Sequence, residues 1–523
     1  MSAAPIRLLR SFATVGGWTM ASRVLGFLRD VMIAALLGAG PVAEAFFVAF
    51  RLPNMFRRFF AEGAFNMAFI PLFAKRLAGE GQEAATRFAE EAQALLATAL
   101  IGLTLVAQLA MPWFVWALAS GFEPGSDRTD LAIAFSRVCF PYIVFISLAA
   151  LFSGILNAFG RFAAAAAAPV LLNVVLIGAM ALGWALGWEI GWVLAWAVFA
   201  GGVAQALLVA LAARHLGVVL RLRRPRLSPD MRRLVALGIP AALAGGVMQI
   251  NLLVGTQIAS WFDGAIGWLW YADRVYQLPL GIVGVAIGVV LLPELSRLVR
   301  AGEEGAAAAQ MNRAAEFALI LTLPATVALV AVPGLITEVL FQRGAFGAED
   351  TAATATALWI YALGLPAFVL QKVLQPAFFA REDTRTPLRY AVWSMAINVA
   401  AALALVPVAG WLGAAIGTTL AGWAMLAMLW MGAGRLSTRI AVDARLARRA
   451  PRCLLAALAM GALILGWAHL GAGLGLAPWT VLALLLIMGG AGYGAAAVLL
   501  GAFRPAELTA ALRRSRPAAT PEE

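Results

Sequence analysis

The stretch Ile70-Pro71-Leu72-Phe73-Ala74-Lys75-Arg76-Leu77-Ala78-Gly79-Glu80-Gly81 returns about 222 residues later as Leu292-Pro293-Glu294-Leu295-Ser296-Arg297-Leu298, followed by Arg300-Ala301-Gly302-Glu303-Glu304-Gly305. A second echo keeps nearly the same shift: Phe159-Gly160-Arg161 with Pro169 and Asn173 matches Phe379-Ala380-Arg381 with Pro387 and Asn398. Each match is weak by itself, but together they divide roughly 10–215 and 230–435 into two copies of one plan. Each copy holds six apolar segments. Six is an even number, so the halves enter the membrane with the same orientation and are related by an axis along its normal. Transporters built from such repeats place their substrate between the halves.

The composition says why those segments are membrane helices. Of 523 residues, 63% are hydrophobic and 13% charged, with a mean hydropathy of +0.87. A soluble domain has about 45–50% apolar and about 25% charged residues, so a cytosolic enzyme, a disulfide scaffold and a disordered chain are excluded. A span needs roughly 20 apolar residues. Runs bounded by Gly, Pro and charge predict helices over 11–38, 43–73, 86–118, 130–159, 163–186, 190–212, 233–261, 267–295, 312–341, 352–379, 387–407, 411–433, 451–470 and 478–502. The expected fold is all-α, a polytopic membrane protein of about fourteen transmembrane helices in two pseudo-symmetric six-helix lobes plus two C-terminal helices. The expected organisation is an N-terminal lobe over 1–215, a basic linker over 216–232, a C-terminal lobe over 233–435, the added pair over 436–502 and a tail over 503–523. The opening MSAAPIRLLRSF leads into a long first helix and reads as a retained span, not a signal peptide.

Charge tests the count. Only Arg128 and Arg343 fall in one set of connections, and eight basic residues fall inside the spans. All the other Lys and Arg of the 39 lie in the alternate connections, counting with them Arg87, Arg233, Arg313, Arg389 and Arg452 at the bordering span ends and including the run Arg221–Arg233. The positive-inside rule therefore puts both termini in the cytoplasm of a multi-pass inner-membrane protein. The formal net charge of +12 is then a topology signal that could also touch anionic headgroups, and a nucleic-acid partner is not expected. Cys139 and Cys453 sit in apolar runs as small hydrophobes, too few for a disulfide framework. His215 and His469 stand apart from any acidic or Cys cluster, so no metal site is expected. No Walker-type phosphate loop is present, so the chain is not expected to hydrolyse ATP.

The eight basic residues inside spans are Arg23, Arg29, Arg51, Arg57, Arg58, Arg137, Arg274 and Lys372, accompanied by Asp30, Glu44, Glu62 and Asp273. A charge at mid-bilayer costs at least about 2.5–3.5 kcal/mol, so such residues face a wet cavity or mark a site. Thr19, Arg23, Gly26 and Asp30 share one face of the first helix by spacing. Glu44, Arg51 and Arg58 share a face of the second unless Pro53 breaks it. Arg57, Arg58 and Glu62 also read as a helix end with snorkelling side chains, and Arg137 as a structural charge near a helix start. The cationic excess asks for an anion, and guanidinium geometry suits phosphate oxygens.

Ser22-Arg23-Val24-Leu25-Gly26-Phe27-Leu28-Arg29-Asp30, Ala45-Phe46-Phe47-Val48-Ala49-Phe50-Arg51-Leu52-Pro53-Asn54, Arg57-Arg58-Phe59-Phe60-Ala61-Glu62-Gly63-Ala64-Phe65, Tyr271-Ala272-Asp273-Arg274 with Pro279-Leu280-Gly281, and Asp383-Thr384-Arg385-Thr386-Pro387 closely resemble the MurJ (MviN) family. The resemblance spans about 10–435. It implies a lipid II flippase of the multidrug/oligosaccharidyl-lipid/polysaccharide exporter superfamily, working by alternating access for cell-wall synthesis, with no bond made or broken. It also implies that the last two helices form a groove for the undecaprenyl tail. By matching position, Arg23, Arg29 and Arg274 would hold the pyrophosphate. Asp30, Glu44 and Asp273 would orient them, with Arg51 and Lys372 in support. Arg57 and Glu62 would lie near the inner gate. The chain departs from relatives at Glu44, where Asp is frequent, and at Gln277, where some carry an acid. The resemblance implies no cofactor, with drive from membrane potential or a monovalent cation. The implied partners are lipid II, membrane lipids and cell-wall synthesis and division proteins, around a monomer.

Three other readings stay open on the sequence. An exporter of another polyprenyl-linked glycan or of drugs would share the fold, although a drug exporter would not need clustered arginines. An intramembrane enzyme on polyprenyl phosphates would need clustered acids or a His nucleophile. A membrane scaffold would give no reason for Arg in the first helix.

Overall fold

The computed structural model describes residues 4–57, 65–436 and 442–503. Among them are sixteen helices and no strand: α1 (Ala4–Leu37), α2 (Pro41–Arg57), α3 (Phe65–Leu118), α4 (Asp127–Cys139), α5 (Tyr142–Ala158), α6 (Ala163–Ala185), α7 (Ile190–Arg214), α8 (Pro229–Ala259), α9 (Ala265–Arg300), α10 (Glu304–Ala331), α11 (Pro333–Phe341), α12 (Ala348–Phe379), α13 (Arg385–Ala409), α14 (Leu412–Ala433), α15 (Ala444–Gly473) and α16 (Pro478–Leu499). Helices are what a bilayer permits, because each backbone group must find its partner inside its own segment. Ten stretches among the described residues are long and apolar enough to cross a membrane. Helices α1, α2 and α9, which carry Arg23, Arg29, Arg51, Arg57 and Arg274, fall outside that set, as do α8 and α11, whereas Arg137 and Lys372 lie on α4 and α12 within it.

Local chemistry sets the ends. Ser126 and Ser228 cap α4 and α8 by accepting the N–H of Thr129 and Met231, at 3.3 and 3.4 Å. Pro229 and Pro478 open α8 and α16, where a missing N–H costs nothing. The two spans predicted over 43–73 and 86–118 are divided differently in the structure. Helix α2 runs on through Pro53 to Arg57, and α3 joins the end of one span to the whole of the next. A straight helix of 54 residues would be about 80 Å long, far beyond the ~30 Å of hydrocarbon. The break is at Gly81, with φ 85° and ψ 176°. In the second copy of the repeat the corresponding break, between α9 and α10, is at Gly302 with φ 73°. The span predicted over 130–159 is interrupted at Phe140-Pro141, and 312–341 at Val332.

The chain forms two compact units. The first holds Met1–Trp270 with Phe341–Asp350, and the second Tyr271–Leu340 with Thr351–Glu523. The basic stretch 216–232 belongs wholly to the first. Within the first unit, α6 packs on α7 and α1, α5 on α7 and α3, and α2 on α4. Helix α2 is buried almost all round from Ala43 to Pro53 although it carries Glu44 and Arg51, so those charges must find partners inside the protein. Phe47 stacks on Trp270 with ring centroids 4.7 Å apart. Within the second unit, α12 is the most enclosed helix, α13 packs on α14, and α15 packs on α10 and α16. Trp393, Leu403 and Val408 of α13 are exposed, the surface a lipid-facing helix presents.

Candidate functional site: charges held in membrane helices

In the first unit, α1 puts Arg29 and Asp30 in the interior, 8% and 1% exposed. The Nε and Nη2 of Arg29 donate to Asp30 Oδ1 at 3.1 and 2.8 Å, and Nη1 donates to Asn173 Oδ1 at 3.0 Å. The guanidinium also lies 5.5 Å from the Phe50 ring centre. Asn173 is a buried residue of α6 and in turn donates to the Ser22 carbonyl at 3.0 Å. Its amide packs against Gly26 of α1. A guanidinium has five N–H donors, so Arg29 keeps donor capacity beyond these three bonds while its position is fixed by neighbours. Arg23, on the same helix, is half-buried and makes no ion pair or hydrogen bond among the described residues. Two of the three arginines expected to hold the pyrophosphate therefore differ: Arg29 is anchored and Arg23 is available.

Helix α2 directs its charges elsewhere. Glu44, 1% exposed, accepts from Arg128 Nη1 at 2.9 Å and from the Ile266 N–H at 3.2 Å. Arg128 also reaches Asp263 at 2.6 Å and lies 4.3 Å over the Phe122 ring. Glu44 thus ties the start of α2 to the start of α4 and of α9, and the expectation that it orients the arginines of α1 is corrected. Arg51 donates to Thr256 Oγ1 of α8 and lies 5.4 Å from the Trp270 ring centre. Arg57 is half-buried in the last turn of α2. Arg58 and Glu62 lie outside the described residues. Arg137 is exposed on α4.

In the second unit, Asp273 and Arg274 are half-buried on α9, and Gln277 one turn on donates to Asp273. Tyr276 is buried against the rings of Tyr361 and Phe368, at 5.7 and 6.0 Å. Lys372 is exposed on α12, beside the buried Gln371, whose amide donates to the Gly422 carbonyl at 2.7 Å.

Sequence reading overlooked Asn173 and Arg128 as partners of these charges. Asn173 carried a usable signal, being a lone amide in an apolar helix that recurs as Asn398 in the second copy. The copies diverge there: Asn398 is buried on α13 and faces Gly417 of α14, whose position leaves 2.7 Å between a Cβ and the amide oxygen. Arg128 reads in the sequence as part of a short connection, where a charge is ordinary, and only the fold, which places it in the first turn of α4, brings Glu44 to it.

A multi-span helical fold with fixed and available guanidiniums in its helices defines a polytopic membrane protein whose intramembrane charges suit a polar, anionic ligand. The solved structure titled inward-facing conformation of a multidrug resistance MATE family transporter of the MOP superfamily shares this fold, with TM-score 0.67, 17% identity, and 80% of this chain and 94% of that chain covered. The structure titled lipid II flippase MurJ, inward closed conformation, is closer in fold, with TM-score 0.77 at 22% identity over 93% of this chain and 98% of that one. The family model described as lipid II flippase MurJ matches residues 33–488. The probable lipid II flippase MurJ of Rhizobium tropici is 45% identical over 521 residues, covering 98% of each chain. The chain belongs to the MurJ lipid II flippase family and is a multi-pass bacterial membrane protein.

Proposed function

We propose that this protein carries lipid II from the cytoplasmic to the periplasmic leaflet of the inner membrane for peptidoglycan synthesis. The single observation that carries the reading, within the family to which the chain belongs, is Arg23: a half-buried guanidinium on membrane helix α1 with no ion pair among the described residues. An arginine in that setting is expensive unless it serves a polar ligand. The task is to take a polar headgroup through hydrocarbon while the polyprenyl tail stays in lipid. Arg23 and Arg29 from α1, with Arg274 from α9, would replace phosphate hydration by charge-assisted hydrogen bonds. Asp30 and Asn173 hold Arg29 in place, and Asp273 and Lys372 would adjust the charge around Arg274. Arg57 and Glu62 would serve the inner gate. Transport by alternating access makes and breaks no bond, so the chemistry is one of binding and release. Drive would come from the membrane potential, worth about 2.3 kcal/mol per charge per 100 mV, or from a monovalent-cation gradient. The protein would work as a monomer alongside the enzymes that make and use lipid II.

The test is complementation in a bacterium depleted of its own lipid II flippase, read by lipid II exposure on the outer leaflet. Wild type is expected to restore exposure, and Arg23→Ala and Arg274→Ala are expected to fail at matched membrane levels. If folded, inserted wild type restores nothing, the cargo is another polyprenyl-linked glycan or a drug.

A further inference from the structure

From the last residue of α7 to the first turn of α8, Arg214 to Arg233, the chain carries seven arginines, all of them exposed. Arg223 pairs with Glu90 of α3. The other six, Arg214, Arg221, Arg224, Arg226, Arg232 and Arg233, make no ion pair among the described residues. The nearby acids have partners of their own. Glu80 and Asp230 share Arg76, Glu83 pairs with Arg87, and Glu91 accepts the Ser228 hydroxyl at 2.7 Å. Three large apolar side chains stand exposed among these arginines: Val219 at 56%, Leu222 at 87% and Leu227 at 58%.

This strap is fastened along its length and is not a slack tether. The Arg221 N–H donates to Glu90 Oε1 at 3.0 Å, and the Arg223 guanidinium donates to the other oxygen of the same carboxylate. Gln82 of α3 donates to the Leu216 carbonyl at 3.3 Å. Val218 is buried, and the whole strap belongs to the first unit. The fastening also fixes its depth. Glu90 and Glu91 are the last charges on α3 before an uncharged run over 92–118, so they stand where α3 enters hydrocarbon. Leu211, three residues before Arg214, and Leu237, four residues after Arg233, are exposed as lipid-facing residues are. The strap therefore lies at the level of the cytoplasmic headgroups. Exposed Leu and Val are unfavourable in water and favourable in the headgroup region. Arginines beside them keep their guanidiniums at the phosphates.

We infer that residues 214–233 form a membrane-surface anchor for anionic phospholipids, with Val219, Leu222 and Leu227 seated among the headgroups and the six unpaired arginines on their phosphates. The charge is spread along the strap, so it suits several singly charged headgroups side by side and not one pyrophosphate. Its partner is the bulk leaflet, not the transported molecule.

The experiment reads the depth of the strap in the full chain reconstituted into vesicles. Pro225→Cys places a thiol between Arg224 and Arg226 without removing an arginine or a leucine, and the native Cys139 and Cys453 are buried. An environment-sensitive dye on that thiol is quenched either by acrylamide in water or by a nitroxide at the carbonyl end of a lipid acyl chain. In vesicles of phosphatidylcholine and phosphatidylglycerol in equal parts, lipid quenching is expected to dominate. In phosphatidylcholine alone, acrylamide quenching is expected to rise. Each arginine is worth about fivefold in the ratio of lipid-engaged to water-exposed strap. Arg221→Gln, Arg224→Gln, Arg226→Gln and Arg232→Gln combined are therefore expected to return the mixed-vesicle signal to the phosphatidylcholine level, and the same four changed to Lys are expected to keep it. Leu222→Ser with Leu227→Ser is expected to lose lipid quenching while every charge stays. Melting curves confirm that each variant is folded. Equal quenching in the two vesicle types overturns the proposal and leaves the arginines to a soluble partner. Unchanged quenching in the folded four-Gln or two-Ser variant also overturns it. So does lipid quenching that appears only when undecaprenyl phosphate is added, which would give the strap to the cargo class.

Discussion

At the scale of single residues, the burial of a partner decides what an arginine does. Arg29 neutralises Asp30, which is 1% exposed. Removing one member of a buried pair costs about 3–5 kcal/mol, because the other charge is left uncompensated. Arg29→Ala is therefore expected to melt early, and its loss of transport alone would not prove a binding role. Arg23→Ala strands no carboxylate, so its cost is expected to be about 1 kcal/mol or less, with transport lost all the same. Thermal melts in detergent, set beside lipid II exposure in cells, separate the two; an Arg23→Ala protein as unstable as Arg29→Ala would make Arg23 a structural charge. Arg128 follows the Arg29 rule. Arg128→Ala strands the buried Glu44 and is expected to cost about 3–5 kcal/mol. Arg128→Ala combined with Glu44→Gln is expected to recover much of that loss, a coupling that a double-mutant cycle measures directly. Which charges enter the membrane was legible in the sequence, since an Arg within an apolar run announces itself. Their partners were not: Asn173 is 144 residues from Arg29, and Arg128 is 84 residues from Glu44. The separation between an anchored and an available arginine lives wholly in those distant contacts.

At the scale of elements, hydropathy located the apolar runs well and the breaks poorly. Pro53 is a strong breaker by its chemistry, yet α2 passes through it, because neighbouring helices can support a span that lacks one hydrogen bond. The break falls instead at Gly81, one of several glycines in that region, and nothing local singles out its positive φ. The connection 341–350 shows a constraint of the opposite kind. Its Ala345 N–H donates to the Ala35 carbonyl at 2.9 Å at the end of α1. Gly344, with φ 59°, approaches the same carbonyl so closely that a Cβ would sit 2.1 Å from its oxygen. Gly344→Ala adds a left-handed strain of about 1–2 kcal/mol to that collision. It is expected to detach this connection from α1, read as faster amide exchange at Ala345 and a lower melting temperature. Unchanged exchange would show that α1 gives way instead. A pH effect belongs to α13. Hydrogen bonds from Thr386, including its N–H at 2.9 Å, hold the Asp383 carboxyl below the usual carboxylate range. A folded-state value below the unfolded one means these bonds to Asp383 stabilise above the unfolded value and are lost as pH falls through the lowered one. The first turn of α13 is expected to exchange faster on acidification through that window. Asp383→Asn is expected to remove the pH dependence, and a dependence that survives it would assign the effect to another group.

At the scale of the whole molecule, the repeat and the loop charges were legible because both are written in order along the chain. The compact units were less so: the boundary between them falls inside α9, after Trp270, and the first unit reclaims Phe341–Asp350 from the later sequence. No composition shift marks either point, since both lie in or beside apolar helix. What the sequence does commit to is orientation, and parity makes that testable. Three crossings, α4 with α5, α6 and α7, separate the connection at Glu123 from the stretch at Arg224, so an odd count puts the two positions on opposite sides. Both residues are exposed. The two native cysteines, Cys139 and Cys453, are buried and give little background to a thiol reagent. Glu123→Cys is expected to react with a membrane-impermeant maleimide in spheroplasts, and Arg224→Cys only after permeabilisation, with the arginine-rich stretch held inside. Equal labelling at both positions would mean that the break at Phe140-Pro141 separates two crossings, giving an even count. The reverse pattern would keep the fold but invert it, turning the proposed export of a lipid-linked headgroup into import.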